Sequence, residues 1–148
     1  MRLLVFGGRD YDRRDIAFLA LDHLHWRLGI EAVIHGAATG ADEAGGLWAC
    51  ARGIECFAVP ADWGNISHAD ALIRIGKGGR KYDARAGARR NALMLAEYRP
   101  TRALEFPGGP GTFDMRRRCD AAGVPVFQVY EREHRPIYEA IWPLELWR

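Results

Sequence analysis

The sequence predicts an α/β fold: a Rossmann-like, doubly wound parallel sheet of about five strands with helices on both faces. Two patterns carry that expectation. Short apolar runs alternate along the chain with longer stretches of helical periodicity, which is the signature of strands buried on both faces by crossover helices. Several of those runs end in glycine-rich turns that lead toward the next helix. Right-handed crossovers then favour the doubly wound arrangement. At 148 residues the chain suits one domain, and no repeat, linker or low-complexity stretch divides it.

Residues 2–6 form an apolar run closed by Gly7-Gly8 and read as a buried strand. Asp12 is placed to cap a helix reaching about Leu28, with Ala17, Leu21, Leu24 and Leu28 on one stripe, and Gly29 stops it. Residues 32–34 make the second strand, which ends at His35-Gly36. Thr39 then caps a helix, with Asp42 as the acidic partner of a capping box, and that helix runs to about Gly53. The third strand covers 54–59 and closes at Pro60. A helix over about 86–97, a strand over 103–106, a helix over about 112–122 and a strand over 125–129 complete the alternation. Residues 64–85 break the rhythm and read as a mobile flap with a helical turn near 69–74.

Composition narrows the functional classes. Lys+Arg 21 against Asp+Glu 19 leaves +2, too balanced for a protein that grips nucleic acid by bulk charge. Hydrophobic residues at 49% and charged residues at 27% fit a soluble globule and exclude disorder, collagen and coiled coil. The apolar runs fall short of the ~20 residues that cross a bilayer, and no signal peptide precedes the first strand, so a cytoplasmic, membrane-free location is expected. Cys50, Cys56 and Cys119 lack the spacing of a disulfide framework or zinc site, and the five histidines show no metal spacing. No metal-ligand spacing is evident and no obligatory cofactor is expected; the sequence leaves open whether a metal ion accompanies the ligand.

The 17 glycines exceed the usual ~7%, and many follow strands. Gly7-Gly8-Arg9-Asp10 follows the first strand, residues 36–42 the second, and residues 107–112 the fourth. In an open parallel sheet, ligands bind beyond the carboxyl ends of the strands. Unpaired amides at a helix N-terminus favour an anion there, and a missing Cβ lets a phosphate oxygen approach the main chain. Tight α/β turns also use glycine for backbone reasons alone; three such turns on one sheet edge point instead to a phosphorylated, nucleotide-type ligand. None is a Walker A loop or a G-x-G-x-x-G fingerprint.

The pieces VFGGRDYDRR at 5–14, IHGAATGAD at 34–42, RGI at 52–54, PADW at 60–63, AGARRNALML at 86–95 and FPGGPGTFDM at 106–115 resemble the YspA-like (cpYpsA-related) branch of the SLOG superfamily. That superfamily also holds the lonely guy nucleotide phosphoribohydrolases and the Rossmann domain of DprA. The resemblance spans roughly residues 3–129. It implies a Rossmann-like fold that binds a nucleotide or nucleotide-derived ligand, often as a homo-oligomer, with a dimer favoured. By the same resemblance the ribose phosphate lies on Pro107, Gly108, Gly109, Gly111 and Thr112, and Arg90, followed by Asn91, matches the lonely guy catalytic arginine. Their catalytic glutamate falls on Met115, which carries no proton, and Asp114 beside it points about 100° away on a helix. The second loop also departs from the branch, with Ala37 where glycine is common.

Other residues carry paired readings. Arg9 can fork onto a phosphate and Asp10 can accept from a ribose hydroxyl, or both belong to the entry of the first helix. Asp42 is a capping residue or a ribose ligand; Thr39 and Thr112 are N-caps that can also donate. Trp63 can stack on a base or close the pocket. His35 is a core-edge histidine or a ligand contact. The basic residues Arg74, Lys77, Arg80, Lys81, Arg85, Arg89 and Arg90, with Asp83 as the one acid among them, are a solvated loop or a cover for a polyphosphate. The aromatic-rich tail from Tyr130 packs on the sheet or on a second subunit. The leading expectation is a nucleotide-binding sensor or sequestering module, contacting its ligand through Gly7, Gly8, Arg9, Gly36, Thr39, Gly40, Asp42, Trp63, Arg90, Asn91 and the 107–112 turn. The alternatives are a hydrolase of nucleotide N-glycosidic bonds, with Arg90 and either Asp114 or Asp10 as catalytic groups, and a DprA-like binder of single-stranded DNA.

Overall fold

The computed structural model describes residues 1–130 together with the backbone of a two-residue strand, Ile141–Trp142. The expectation for the aromatic tail beyond Tyr130 otherwise lies outside the described residues. In chain order the elements are β1 (Arg2–Phe6), α1 (Arg14–Leu28), β2 (Ala32–His35), α2 (Ala41–Arg52), β3 (Glu55–Ala58), β4 (Ile73–Ile75), β5 (Lys81–Asp83), α3 (Ala86–Tyr98), β6 (Arg102–Glu105), α4 (Pro110–Ala122), β7 (Val126–Val129) and β8 (Ile141–Trp142).

The main sheet has the order β3-β2-β1-β6-β7-β8. Its first five strands are parallel, and β8 runs antiparallel along the edge of β7. The chain winds outward from β1 through β2 to β3, then crosses to β6 and β7 on the other side. This is the Rossmann-like topology expected, and its switch point lies between β1 and β6.

Side-chain alternation along the strands divides the core into two layers. Leu3, Val5, Val33, Leu104 and Phe106 pack with α1 and α2, including the fully buried Trp48. Leu4, Phe6, Ile34 and Ala103 face the opposite way, toward Met94 of α3 and Met115 and Cys119 of α4. Burying each large side chain is worth about 1.5–3 kcal/mol, so both layers are needed to hold the sheet between its helices. Trp48 donates its indole N–H to Asp22 Oδ1 at 2.9 Å, and Arg52 grips the same carboxylate through two bonds, which ties α2 to α1. Among the described residues no helix is long and apolar enough to cross a membrane.

The helix starts differ from the sequence reading. Asp12 does not cap α1: Arg13 occupies the N-cap position without a side-chain cap bond, and Asp12 contributes its carbonyl to Arg14 N at 3.1 Å. Thr39 and Asp42 form no capping box, because Gly40 is the N-cap of α2. Its φ of +76° suits glycine, and a Cβ there would strike Gly8 O. Thr112 is likewise not the cap of α4, which opens with Gly109 at the N-cap and Pro110 in its first turn.

The 64–85 segment also differs. In place of a helical turn near 69–74 there is a turn closed by Ala71 N donating to His68 O (3.0 Å), followed by the β4–β5 antiparallel hairpin. Alternating Ile73 and Ile75 suit a strand, and Gly78 and Gly79 supply the positive φ of the reversal at 77–79. Asp83 anchors the hairpin. Its buried carboxylate accepts the amides of Leu72 and Arg85, each at 2.9 Å, and both terminal guanidinium nitrogens of Arg89 on α3. Although burial alone would raise its pKa, these donors and the Arg89 charge hold it below the usual carboxylate value.

Candidate functional site

The three glycine-bearing turns meet at the switch point and bond to one another. Gly8 N donates to Pro107 O at 2.9 Å, Ala41 N donates to Gly8 O at 3.1 Å, and Thr39 Oγ1 donates to Arg9 O at 2.9 Å. The first turn is thus held between the second and third. The approach is close: a Cβ on Gly7 would lie 2.7 Å from Phe106 Cβ and 2.8 Å from Ala41 Cβ.

Above this junction opens a cleft of about 560 Å3, within the range of small-molecule sites. Gly109 and Gly111 border it, and a Cβ on either would meet nothing within 4 Å, so the main chain of the first turn of α4 lies open to the cleft. The amides of that turn have no intrahelical acceptor. Phe6, Met94 and Met115 supply the apolar part of the lining. Met115 is only 1% exposed and fills the floor beside Met94.

The charged groups are fixed by distinct partners. Arg90 donates through one terminal nitrogen to the carbonyls of Gly36 and Val59, the latter at 3.3 Å, and through Nε to Asn91 Oδ1 at 3.1 Å. Asn91 passes the chain on, donating to Asp114 Oδ2 at 3.0 Å, which also accepts Arg118 Nε at 2.8 Å. A polar row therefore links the second turn, α3 and α4 along one wall. Burial pushes the Arg90 guanidinium below its ordinary pKa, with Asp42 opposing the shift and Arg9 adding to it.

The carboxylates divide into two kinds. Asp42 is buried, and burial pushes its pKa up, against the pull of the Ala38 amide and the Arg90 charge; its Oδ2 accepts Ala38 N at 3.2 Å. Asp114 goes the other way. Partial burial would raise it, but hydrogen bonds from Arg118 and Asn91 and the charges of Arg118 and Arg117 outweigh that and hold it ionised. A carboxylate so held is a weak proton donor and a weak base. His35 accepts Ala37 N through Nδ1 at 3.1 Å; burial first, and the Arg90 charge second, lower its pKa, so it stays neutral at the core edge.

Of the residues singled out in the sequence, Gly7, Gly8, Arg9, Asp10, Asp42, Trp63, Arg90, Asn91, Gly109, Gly111, Thr112 and Asp114 all line this cleft. Gly36, Thr39, Gly40, Pro107 and Gly108 do not line it: Thr39 and Pro107 bond to the first turn, Gly40 and Gly108 approach that turn closely, and Gly36 O accepts Arg90. The basic stretch does not act as a unit: Arg89 holds Asp83, Arg85 donates to Asp70 O at 2.9 Å, and Arg90 braces the second turn. Sequence reasoning missed Phe6, Ala38, Ala84, Gly87, Ala88 and Met94 in the lining, and it missed Asp83 as an anchor. Met94 was findable, since it stands four residues after Arg90 and shares its helix face.

No curated protein matches the chain. The model of the YspA, cpYpsA-related SLOG family matches residues 1–65, which hold the first two turns and Trp63 but not Arg90 or the 107–112 turn. With the Rossmann-like sheet, that match supports assigning the chain to the YspA-like branch of the SLOG superfamily.

Proposed function

We propose that this protein binds a nucleotide or nucleotide-derived phosphorylated molecule in the switch-point cleft, as a sensor or sequestering module. One observation carries the reading: the open first turn of α4 faces a cleft also lined by the guanidinium groups of Arg9 and Arg90. A phosphate there would accept main-chain amides at the positive end of the helix and offset two neighbouring positive charges. Gly8, Gly109 and Gly111 allow it close to the backbone, Thr112 adds a hydroxyl, and Asp10 or Asp42 can accept from a ribose.

The chemistry of the wall favours binding over hydrolysis of an N-glycosidic bond. Met115 carries no proton, and Asp114 is held ionised by two arginines and an asparagine. The test is a titration calorimetry panel of nucleoside monophosphates with free-base release followed in parallel. Binding without base release supports the reading. Turnover abolished by Asp114→Asn would replace it with the hydrolase, and a flat calorimetric response to the whole panel would refute it.

A further inference from the structure

A second compartment, about 540 Å3, opens off the cleft. It shares Arg9, Trp63 and Ala84 with the first and adds Arg74 and Tyr82. Arg74 and Tyr82 are direct cross-strand partners in the β4–β5 hairpin, so both side chains stand on one face of it. The Tyr82 ring meets the Trp63 indole at 68°, with centroids 6.4 Å apart, and the Arg9 guanidinium lies 5.2 Å from the Trp63 centroid. The indole itself seats against α3 at Gly87, where a Cβ would come within 2.9 Å of it.

Among the described residues the two arginines of this compartment form no ion pair, although the Arg9 charge reaches the Asp42 carboxylate. Arg13, Arg52, Arg89, Arg116 and Arg118 each pair with a carboxylate. Arg9 and Arg74 have no such partner among the described residues. Two guanidinium groups beside two aromatic rings offer one surface for an anion and one for a planar heterocycle. Arg9 stands where the compartments join. A molecule with two ring systems and an anionic bridge between them matches that order of surfaces.

We propose that this compartment is a second subsite, which takes the distal heterocycle of a ligand built from two nucleosides joined by a pyrophosphate, with Arg9 over the bridge. The inference rests on the nucleotide-binding reading above and specifies its ligand class. Stacking of a base on aromatic side chains commonly changes affinity tenfold or more, about 1.4 kcal/mol per tenfold.

The experiment compares AMP, ADP and diadenosine diphosphate by calorimetry on the full chain. ADP and the dinucleotide share the pyrophosphate and differ by one nucleoside. Diadenosine diphosphate is expected to bind at least about tenfold tighter than ADP. Tyr82→Ala should bring that ratio to within about twofold and leave AMP affinity unchanged, since Tyr82 does not line the first compartment. Arg74→Ala, on the same hairpin face, should act in the same direction and serves if Tyr82→Ala does not fold. If AMP binds but the dinucleotide gains nothing over ADP, or the gain survives both substitutions, the second subsite is refuted and the nucleotide reading stands. If none of the three compounds binds, both fall.

Discussion

Ala37 offers the sharpest test of the backbone argument. It sits in the second turn with φ +56°, in the left-handed region, and its side chain is exposed. An L-residue there costs roughly 1–2 kcal/mol relative to glycine's freedom. Glycine gives back about 0.5–1 kcal/mol through the larger entropy of its unfolded chain. Because the methyl group is exposed, no core contact is lost. Ala37→Gly should therefore stabilise the protein by about 0.5–1 kcal/mol, which for a chain of this size is a rise in Tm of about 1–4 °C. Urea unfolding followed by tryptophan fluorescence reads the change as a higher midpoint at unchanged m-value. Arg99, with φ +47° at the end of α3 and far from the cleft, provides the matched control as Arg99→Gly. If Arg99→Gly raises the midpoint while Ala37→Gly leaves it unchanged or lowers it, the claim that Ala37 is strained is wrong.

Two further outcomes follow from the cleft wall. Arg90→Met removes the donors to the Gly36 and Val59 carbonyls, so it should cost about 2–4 kcal/mol in chemical denaturation and abolish AMP binding; a variant of wild-type stability would show that Arg90 does not brace the second turn. Asp42 has a raised pKa in the folded state, so the stability it contributes is present below the ordinary aspartate value and lost as pH rises through the folded one. The stability of Asp42→Asn relative to the parent should accordingly climb as pH is taken from about 4 toward neutrality; a flat difference across that range would contradict the burial argument.

The sheet was legible because each strand is a short apolar run and each helix carries its own stripe, so local pattern and tertiary demand agree. Leu3, Leu4, Val5 and Phe6 read as a strand covered on both faces, and they are. The cleft was legible for the same reason that glycines were conspicuous: the turns that line it need close approach. Caps were not legible, since Thr39 and Asp42 satisfy a local rule that the first turn overrides by claiming the Thr39 hydroxyl and the start of α2. The hairpin escaped because periodicity over two three-residue strands is too brief to register, and its anchor, the buried Asp83 carboxylate held by Leu72, Arg85 and Arg89, is a polar contact that leaves no apolar pattern. Trp63 was singled out, but its contact with Arg9 across more than fifty intervening positions has no sequence signal at all.

The mutual hydrogen bonds of the three turns have a kinetic consequence. A rim already joined through Gly8, Pro107 and Ala41 leaves little loop ordering to be done at encounter, so the entropic penalty of docking is small. Arrival rates should then be similar across related nucleotides, and discrimination among them should reside in how long each one stays.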